Sequence, residues 1–239
     1  MGWLIPIAAI LLLLMLVTKW IVARRRGSMV FRGIANRVLA AEGDREAIAP
    51  RSLVITVVFT NLNDFMTVFG ELGDEVGVPL LNEYYGVMTP VIRRHGGYLN
   101  TFQFDRLFFF FGPIFGVGET NYAADAIATV LEMQREMGVF NERLRKRGLP
   151  QLKMRAGIAT GTAVVGDIGS TQFSQFTAVG PAVNLATKLE KLCKGTDAQN
   201  LVNDQTRASA GSGYRFRAIE FPAIEGEASI WAFEAIADA

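Results

Sequence analysis

The chain has 239 residues, half of them apolar, and its 24 basic side chains stand against 23 acidic ones. A charge balance near zero, with no basic stripe carrying interleaved aromatics, gives no case for nucleic acid as a partner. One cysteine (Cys193) rules out an internal disulfide framework, and one histidine (His95) rules out a multi-histidine metal site, so any metal must be held by oxygen ligands.

From Trp3 to Val22 the chain is almost wholly apolar, interrupted by Pro6, Thr18 and Lys19. As a helix rising about 1.5 Å per residue, this stretch sets Trp3 and Trp20 roughly 25 Å apart, the spacing of the two aromatic belts of a bilayer. Arg24, Arg25 and Arg26 follow it, and no acid occurs before Glu42. A cleaved signal peptide would carry its charge ahead of the apolar run. Here the charge comes after it, which places the C-terminal side in the cytoplasm. Residues 1–27 are therefore expected to form a single-pass anchor in the cell membrane, N-terminus outside, with the lipid bilayer as the first partner. Residues 28–50 follow as a juxtamembrane segment. Ser28 to Ala41 reads as a basic helix with Phe31, Ile34, Val38 and Leu39 on one side, suited to anionic lipid or a partner helix, or serving as a plain connector. Gly43 to Pro50 reads as a short linker.

Residues 51–239 are expected to form one cytoplasmic domain. Ser52 to Leu62 is a β-branched run of the kind a central strand carries when both its faces are buried. Asp74 to Arg94 reads as a helix with Leu81, Tyr84, Met88 and Ile92 on one face and a kink at Pro90. His95 to Gly112 reads as a β-hairpin. A Gly-Gly pair opens it, Tyr98, Leu99, Phe102 and Phe104 form its first strand, and Leu107 to Phe111 its return. Asp105 stands at the polar tip, where local sequence alone makes it a turn residue.

Asn121 to Arg147 is the clearest helix: Ala123, Ile127, Val130, Met133, Met137, Phe140 and Leu144 recur at three and four, and Gly148 and Pro150 follow as stop signals. Lys153 to Thr160 and Ala163 to Ile168 read as two strands joined at Gly161-Thr162. Phe176 to Val179 is a third short strand leading into a helix from Pro181 to Leu192. Asn200–Val202, Tyr214–Ile219 and Ser229–Phe233 read as peripheral strands. The order β-α-β-β-α-β with additions implies a mixed α/β (α+β) domain whose antiparallel-containing sheet is backed by helices on one side.

Four segments carry a resemblance: V-F-T-N-L-N-D-F (Val58–Phe65), H-G-G-Y-L-N-T-F-Q-F-D (His95–Asp105), G-I-A-T-G-T-A-V-V-G-D-I-G-S (Gly157–Ser170) and F-T-A-V-G-P-A-V-N-L-A-T-K-L-E (Phe176–Glu190). In order and spacing they resemble the signature blocks of class III nucleotidyl cyclase catalytic domains, over roughly residues 50 to 210. The resemblance implies a ferredoxin-like βαββαβ cyclase domain preceded by one transmembrane helix, pairing head to tail with a second domain and holding a nucleotide between the two. It also implies chemistry in which the nucleotide's 3′-hydroxyl attacks its own α-phosphate and pyrophosphate leaves. Two metal ions, Mg²⁺ or Mn²⁺, are held by two carboxylates, with residues that read the base, position the ribose and stabilise the developing charge.

Carried over position by position, the resemblance puts the first metal carboxylate on Asn61 and the second on Asp105. A neutral amide at Asn61 is a poor ligand for a hard cation. The base-reading lysine falls on Thr101, which is too short, and the second base-reading position on Thr177. Asn184 keeps the ribose asparagine, and Lys188 replaces the transition-state arginine, retaining charge without the planar fork. Phe104 replaces the glycine before the second carboxylate, and Pro181 stands where the family has Asp or Asn. Asp64, in a strand-to-helix loop, is not expected to take over the position of Asn61.

Three readings follow. One is a membrane-tethered pseudo-cyclase with no cofactor, acting as a homodimer or with other subunits of a membrane complex. A second is a working adenylate cyclase using ATP, Mg²⁺ or Mn²⁺ and a complementary chain. A third is a nucleotide sensor without turnover. Phe102, Phe104 and Phe115 are added aromatics; the first two either form an outward apolar patch or bury in the domain's own core.

Overall fold

β1 (Arg51–Leu62) is the axis of the domain, because both its edges and both its faces are covered. It pairs antiparallel with β3 (Arg106–Phe111) along one edge and with β4 (Met154–Gly169) along the other. Ile55, Val57, Val58 and Leu62 are buried to within 1% of fully. The protein is seen in a computed structural model that describes residues 48–114, 121–170, 174–221 and 230–236. The expected anchor over 3–22, the basic helix over 28–41 and most of the linker lie outside these residues. Among the described residues no helix is long and apolar enough to cross a membrane.

The sheet order is β2-β3-β1-β4-β6-β8-β7, with β5 (Ser174–Val179) pairing with the distal half of β4. β2 (Tyr98–Gln103) and β3 form the expected hairpin, and β6 (Asn200–Val202), β7 (Arg215–Phe221) and β8 (Ile230–Ile236) extend the other side. The strands β2-β3-β1-β4, with α2 (Asp74–Arg94) and α3 (Tyr122–Lys146), make the βαββαβ core. α3 begins where the Asn121 side chain accepts the amide hydrogen of Ala124 at 3.0 Å, a side-chain cap that satisfies one of the orphan donors of the first turn. Its apolar stripe, Ala123 to Leu144, is buried as the spacing predicts.

The period of two along the strands divides the apolar residues between two cores. Val58, Leu62, Leu107, Phe109, Phe111, Ala156 and Ile158 face α2, α3 and a short α1 (Phe65–Leu72). Ile55, Val57, Phe108, Phe110, Ala159 and Ala163 face α4 (Pro181–Leu192) through Ala182, Ala186 and Leu189. The expectation of helices on one side thus holds for the βαββαβ core and fails for the domain, since α4 covers the second face.

The expected break at Gly161-Thr162 is also corrected: β4 runs through it without a turn. Gly161 and Thr162 pair in register with Ile55 and Val54 of β1. Gly161 has none of the positive φ that a two-residue hairpin turn demands. Two short helices escape the periodicity, α1 and α5 (Asp204–Ala210). Each spans about two turns, too few for a repeating stripe to show.

Candidate functional site

Pairing along both edges of β1 sets Asn61 opposite Arg106 of the hairpin and opposite Arg155 of β4. The hairpin tip is pinned to the end of β1 by the Leu62 amide, which donates to the Asp105 carbonyl at 2.9 Å. Asn61 is only 4% exposed. Its Nδ2 donates to Asp105 Oδ2 at 3.0 Å, and its Oδ1 accepts from Arg155 Nη2 at 2.9 Å. Arg155 Nε in turn donates to Glu190 Oε1 of α4 at 3.0 Å. The orientation of the amide follows from its neighbours, because a carboxylate only accepts and a guanidinium only donates. Arg106 Nε lies 3.8 Å from Asp105 Oδ1. Two acids and two cations therefore balance within one cluster, in which Arg155 and Glu190 are almost wholly buried.

Gly157 lets α4 reach this cluster. A Cβ there would lie 2.1 Å from the Ala186 carbonyl and 2.4 Å from the Glu190 amide, so the helix rests directly on the strand backbone and carries the Glu190 carboxylate to Arg155.

The residues do not fit the two-cation site that the resemblance implies. Asp105 is the single carboxylate at the two metal positions, and both polar atoms of the Asn61 side chain are committed to protein partners. Two guanidinium groups, those of Arg155 and Arg106, stand where cations would crowd them. Among the described residues no group of three or more acids, histidines or cysteines is placed to hold a metal ion.

Among the described residues, Phe104 and Asp64 are the two non-glycine residues with positive φ, 56° and 53°. For Phe104 the left-handed backbone costs about 1–2 kcal/mol that a glycine would not incur. The ring offsets this by packing 5.5 Å from Phe65 and 5.1 Å from Phe69 of α1. Tyr85 holds the same turn, its hydroxyl donating to the Phe104 carbonyl. Burial, helped by the charge of Asp105, pushes the Tyr85 phenol up to about 12. The two hairpin aromatics thus part company. Phe104 packs against the domain's own core, whereas Phe102 stays 40% exposed with its ring 4.9 Å from that of Tyr85. Phe115 lies outside the described residues.

Thr101 sits on β2 just after an irregularity in its pairing with β3. The neighbouring residue, Asn100, is buried. Its Nδ2 donates to the Phe176 carbonyl at 2.9 Å, and its Oδ1 accepts from the Thr177 hydroxyl at 3.2 Å. Asn100 therefore joins the Thr101 and Thr177 positions. Asn184 and Lys188, one helical turn apart, lie on α4, and Pro181 opens that helix at a position where its missing amide hydrogen costs nothing. The structure thus brings Asn61 together with Asp105, links Thr177 to the neighbour of Thr101 through Asn100, and sets Asn184 and Lys188 on the helix that Glu190 ties to the first pair. Asp64 caps α1 with its backbone alone and makes no side-chain cap bond. Arg155, Glu190, Asn100 and Tyr85 were not foreseen as site residues. Glu190 closes the fourth signature block, which was the one signal pointing to it.

The profile of the adenylate and guanylate cyclase catalytic domain matches residues 49–233. Among curated proteins, adenylate cyclase 1 of Rhizobium meliloti is 31% identical over 175 residues, covering 73% of this chain and 26% of that protein. The adenylate cyclase of Anabaena cylindrica is 28% identical, covering 70% of this chain and 33% of its own length. The chain therefore spans about a quarter to a third of these relatives. Among solved structures, the guanylyl cyclase Cya2 superposes with a TM-score of 0.72 at 28% identity, over 80% of this chain and 95% of that one. The adenylyl cyclase CyaB from P. aeruginosa gives a TM-score of 0.72 at 25% identity, over 80% and 97%. With the profile covering most of the chain and the βαββαβ core in place, this protein belongs to the adenylate and guanylate cyclase catalytic domain family.

Proposed function

We propose that this chain is a membrane-anchored member of the cyclase family that works by association, as a homodimer or as a subunit of a membrane complex, and not by turnover. The observation that carries the reading is Asn61, whose amide is spent on Asp105 and Arg155 where the family's chemistry needs a second anionic metal ligand. Thr101 and Lys188 weaken the base and transition-state positions as well. Loss of one charge-stabilising group commonly costs about 10²–10³ in rate. The apolar run from Trp3 to Val22 and the arginines behind it support a single-pass anchor with the domain on the cytoplasmic face. The test is to incubate the purified full chain with ATP or GTP and Mg²⁺ or Mn²⁺. The expected result is no cyclic nucleotide above the level of an Asp105→Ala variant. Product that disappears in that variant would overturn the reading.

The second reading is an adenylate cyclase completed by a partner chain. The retained Thr177 and Asn184 favour it, together with the identity to adenylate cyclase 1. On this reading Asp105 holds the remaining metal contact, Thr177 reads the base of ATP, Asn184 positions the ribose and Lys188 faces the developing charge. Cyclic AMP that forms only with a second cyclase-family chain present would establish it.

A further inference from the structure

We infer that Asn61 takes the place of a divalent cation as the bridge across this end of the domain. The wild-type chain then binds no Mg²⁺ or Mn²⁺ at Asp105, and the single change Asn61→Asp opens a cation site there. The geometry carries this in three steps. The Asn61 amide presents a donor to Asp105 at 3.0 Å and an acceptor to Arg155 at 2.9 Å. An amide can do both, whereas a carboxylate in its place could not donate to Asp105, since one neighbour has no proton to give and the other no lone pair. A cation approaching Asp105 would have to displace that donor and would gain a neutral oxygen already held by a guanidinium.

The bridge, moreover, is buried. Asn61 is 4% exposed and Arg155 13%, so the hydrogen bonds are sheltered from competing water. Finally, aspartate at position 61 would keep its bond from Arg155 and turn its second oxygen towards Asp105. Two carboxylates at hydrogen-bond distance repel strongly, and a divalent cation between them removes the repulsion.

The site that results is an oxygen-ligand site for a small hard cation, built from residues 61 and 105, with Arg155 neutralised by Glu190 behind it. Arg155 and Glu190 act here as positioning residues, since they hold the orientation of residue 61. The inference shares the reading of Asn61 with the proposed function, and the two can fail separately. Mn²⁺ bound at Asp105 without product would overturn this inference alone, whereas product made without such binding would overturn only the functional reading.

The experiment uses the full chain in detergent micelles with Mn²⁺ as the probe, alone and with a non-hydrolysable ATP analogue. Electron paramagnetic resonance reads bound Mn²⁺, and thermal melting reads its effect on the fold. The wild-type chain is expected to show no Mn²⁺ binding that an Asp105→Ala variant loses. Asn61→Asp is expected to melt below wild type in chelator. Mn²⁺ at a hundred times its dissociation constant should then raise that melting point by roughly 5–10 °C, an effect abolished in Asn61→Asp/Asp105→Ala. Asp105-dependent Mn²⁺ binding by the wild-type chain overturns the inference, as does an Asn61→Asp chain whose melting point Mn²⁺ leaves unmoved or which stays unfolded in Mn²⁺.

Discussion

Replacing Arg155 with methionine tests the buried cluster most directly. The methionine keeps much of the apolar stem and removes two hydrogen bonds, one to Glu190 at 3.0 Å and one to Asn61 at 2.9 Å. Glu190 is left as an unpaired carboxylate 5% exposed. Breaking a buried pair in this way costs about 3–5 kcal/mol, because the surviving charge keeps its desolvation penalty and loses its compensation. For a domain of this size each kcal/mol lowers the melting temperature by roughly 2–4 °C, so the variant should melt on the order of 6–20 °C below wild type. The double variant Arg155→Met/Glu190→Gln removes the orphaned charge and should recover more than half of that loss. Circular dichroism melts of wild type, both single variants and the double variant, in one detergent, complete the cycle. A single variant within about 1 kcal/mol of wild type, or a double variant no better than Arg155→Met, would refute the cluster as a charge-balanced unit.

Two further outcomes follow from other contacts. Gly157→Ala forces α4 away from the strand, since the new methyl would meet the Ala186 carbonyl at 2.1 Å and ordinary contact begins at 3.4 Å. The expected loss is about 1–3 kcal/mol, with weakening of the Arg155–Glu190 bond, and an unchanged melting point would show that the helix is not seated as described. Glu132 joins α3 to the end of α2 through His95 Nε2 at 2.6 Å and through Arg94. The hydrogen bond from His95, then that from Arg94, hold its carboxyl below the usual carboxylate range. The stability it contributes is present above the unfolded carboxylate value and is lost as pH falls through the lower folded one. Melts across acid pH should therefore show a shallower acid limb for Glu132→Gln, and identical limbs would count against the interaction.

Much of the candidate site was legible from residue types alone. Asn61, Thr101, Phe104 and Lys188 announced a departure from the family's chemistry by what they cannot do: ligate a hard cation, span to a base, leave the backbone bare, or form a planar fork. The sequence could not show where the Asn61 amide is spent. Arg155 is 94 residues away along the chain and becomes its partner only through the β1–β4 register. Asn100 was hidden for a similar reason, because its importance comes from a break in strand pairing that turns its side chain to Phe176 and Thr177. Gly161-Thr162 looked like a turn because a Gly-Thr pair between two apolar runs often is one. β1 supplies an unbroken partner along its whole length, and pairing overrode the local signal.

The hairpin shows the same division at closer range. Alternation and β-branched runs determined the strands, and periods of three and four determined α2 and α3, because those patterns record directly which side of an element meets water. Family membership was equally legible, carried by four short blocks that together leave few alternatives. Tertiary structure decided that α4 covers the second face, that Phe104 turns inward onto α1 while Phe102 stays out, and that Asn61 and Asp105 join hands across the strand ends. Each of these depends on distances between residues far apart in the chain, and no local periodicity encodes such distances until the sheet register sets them.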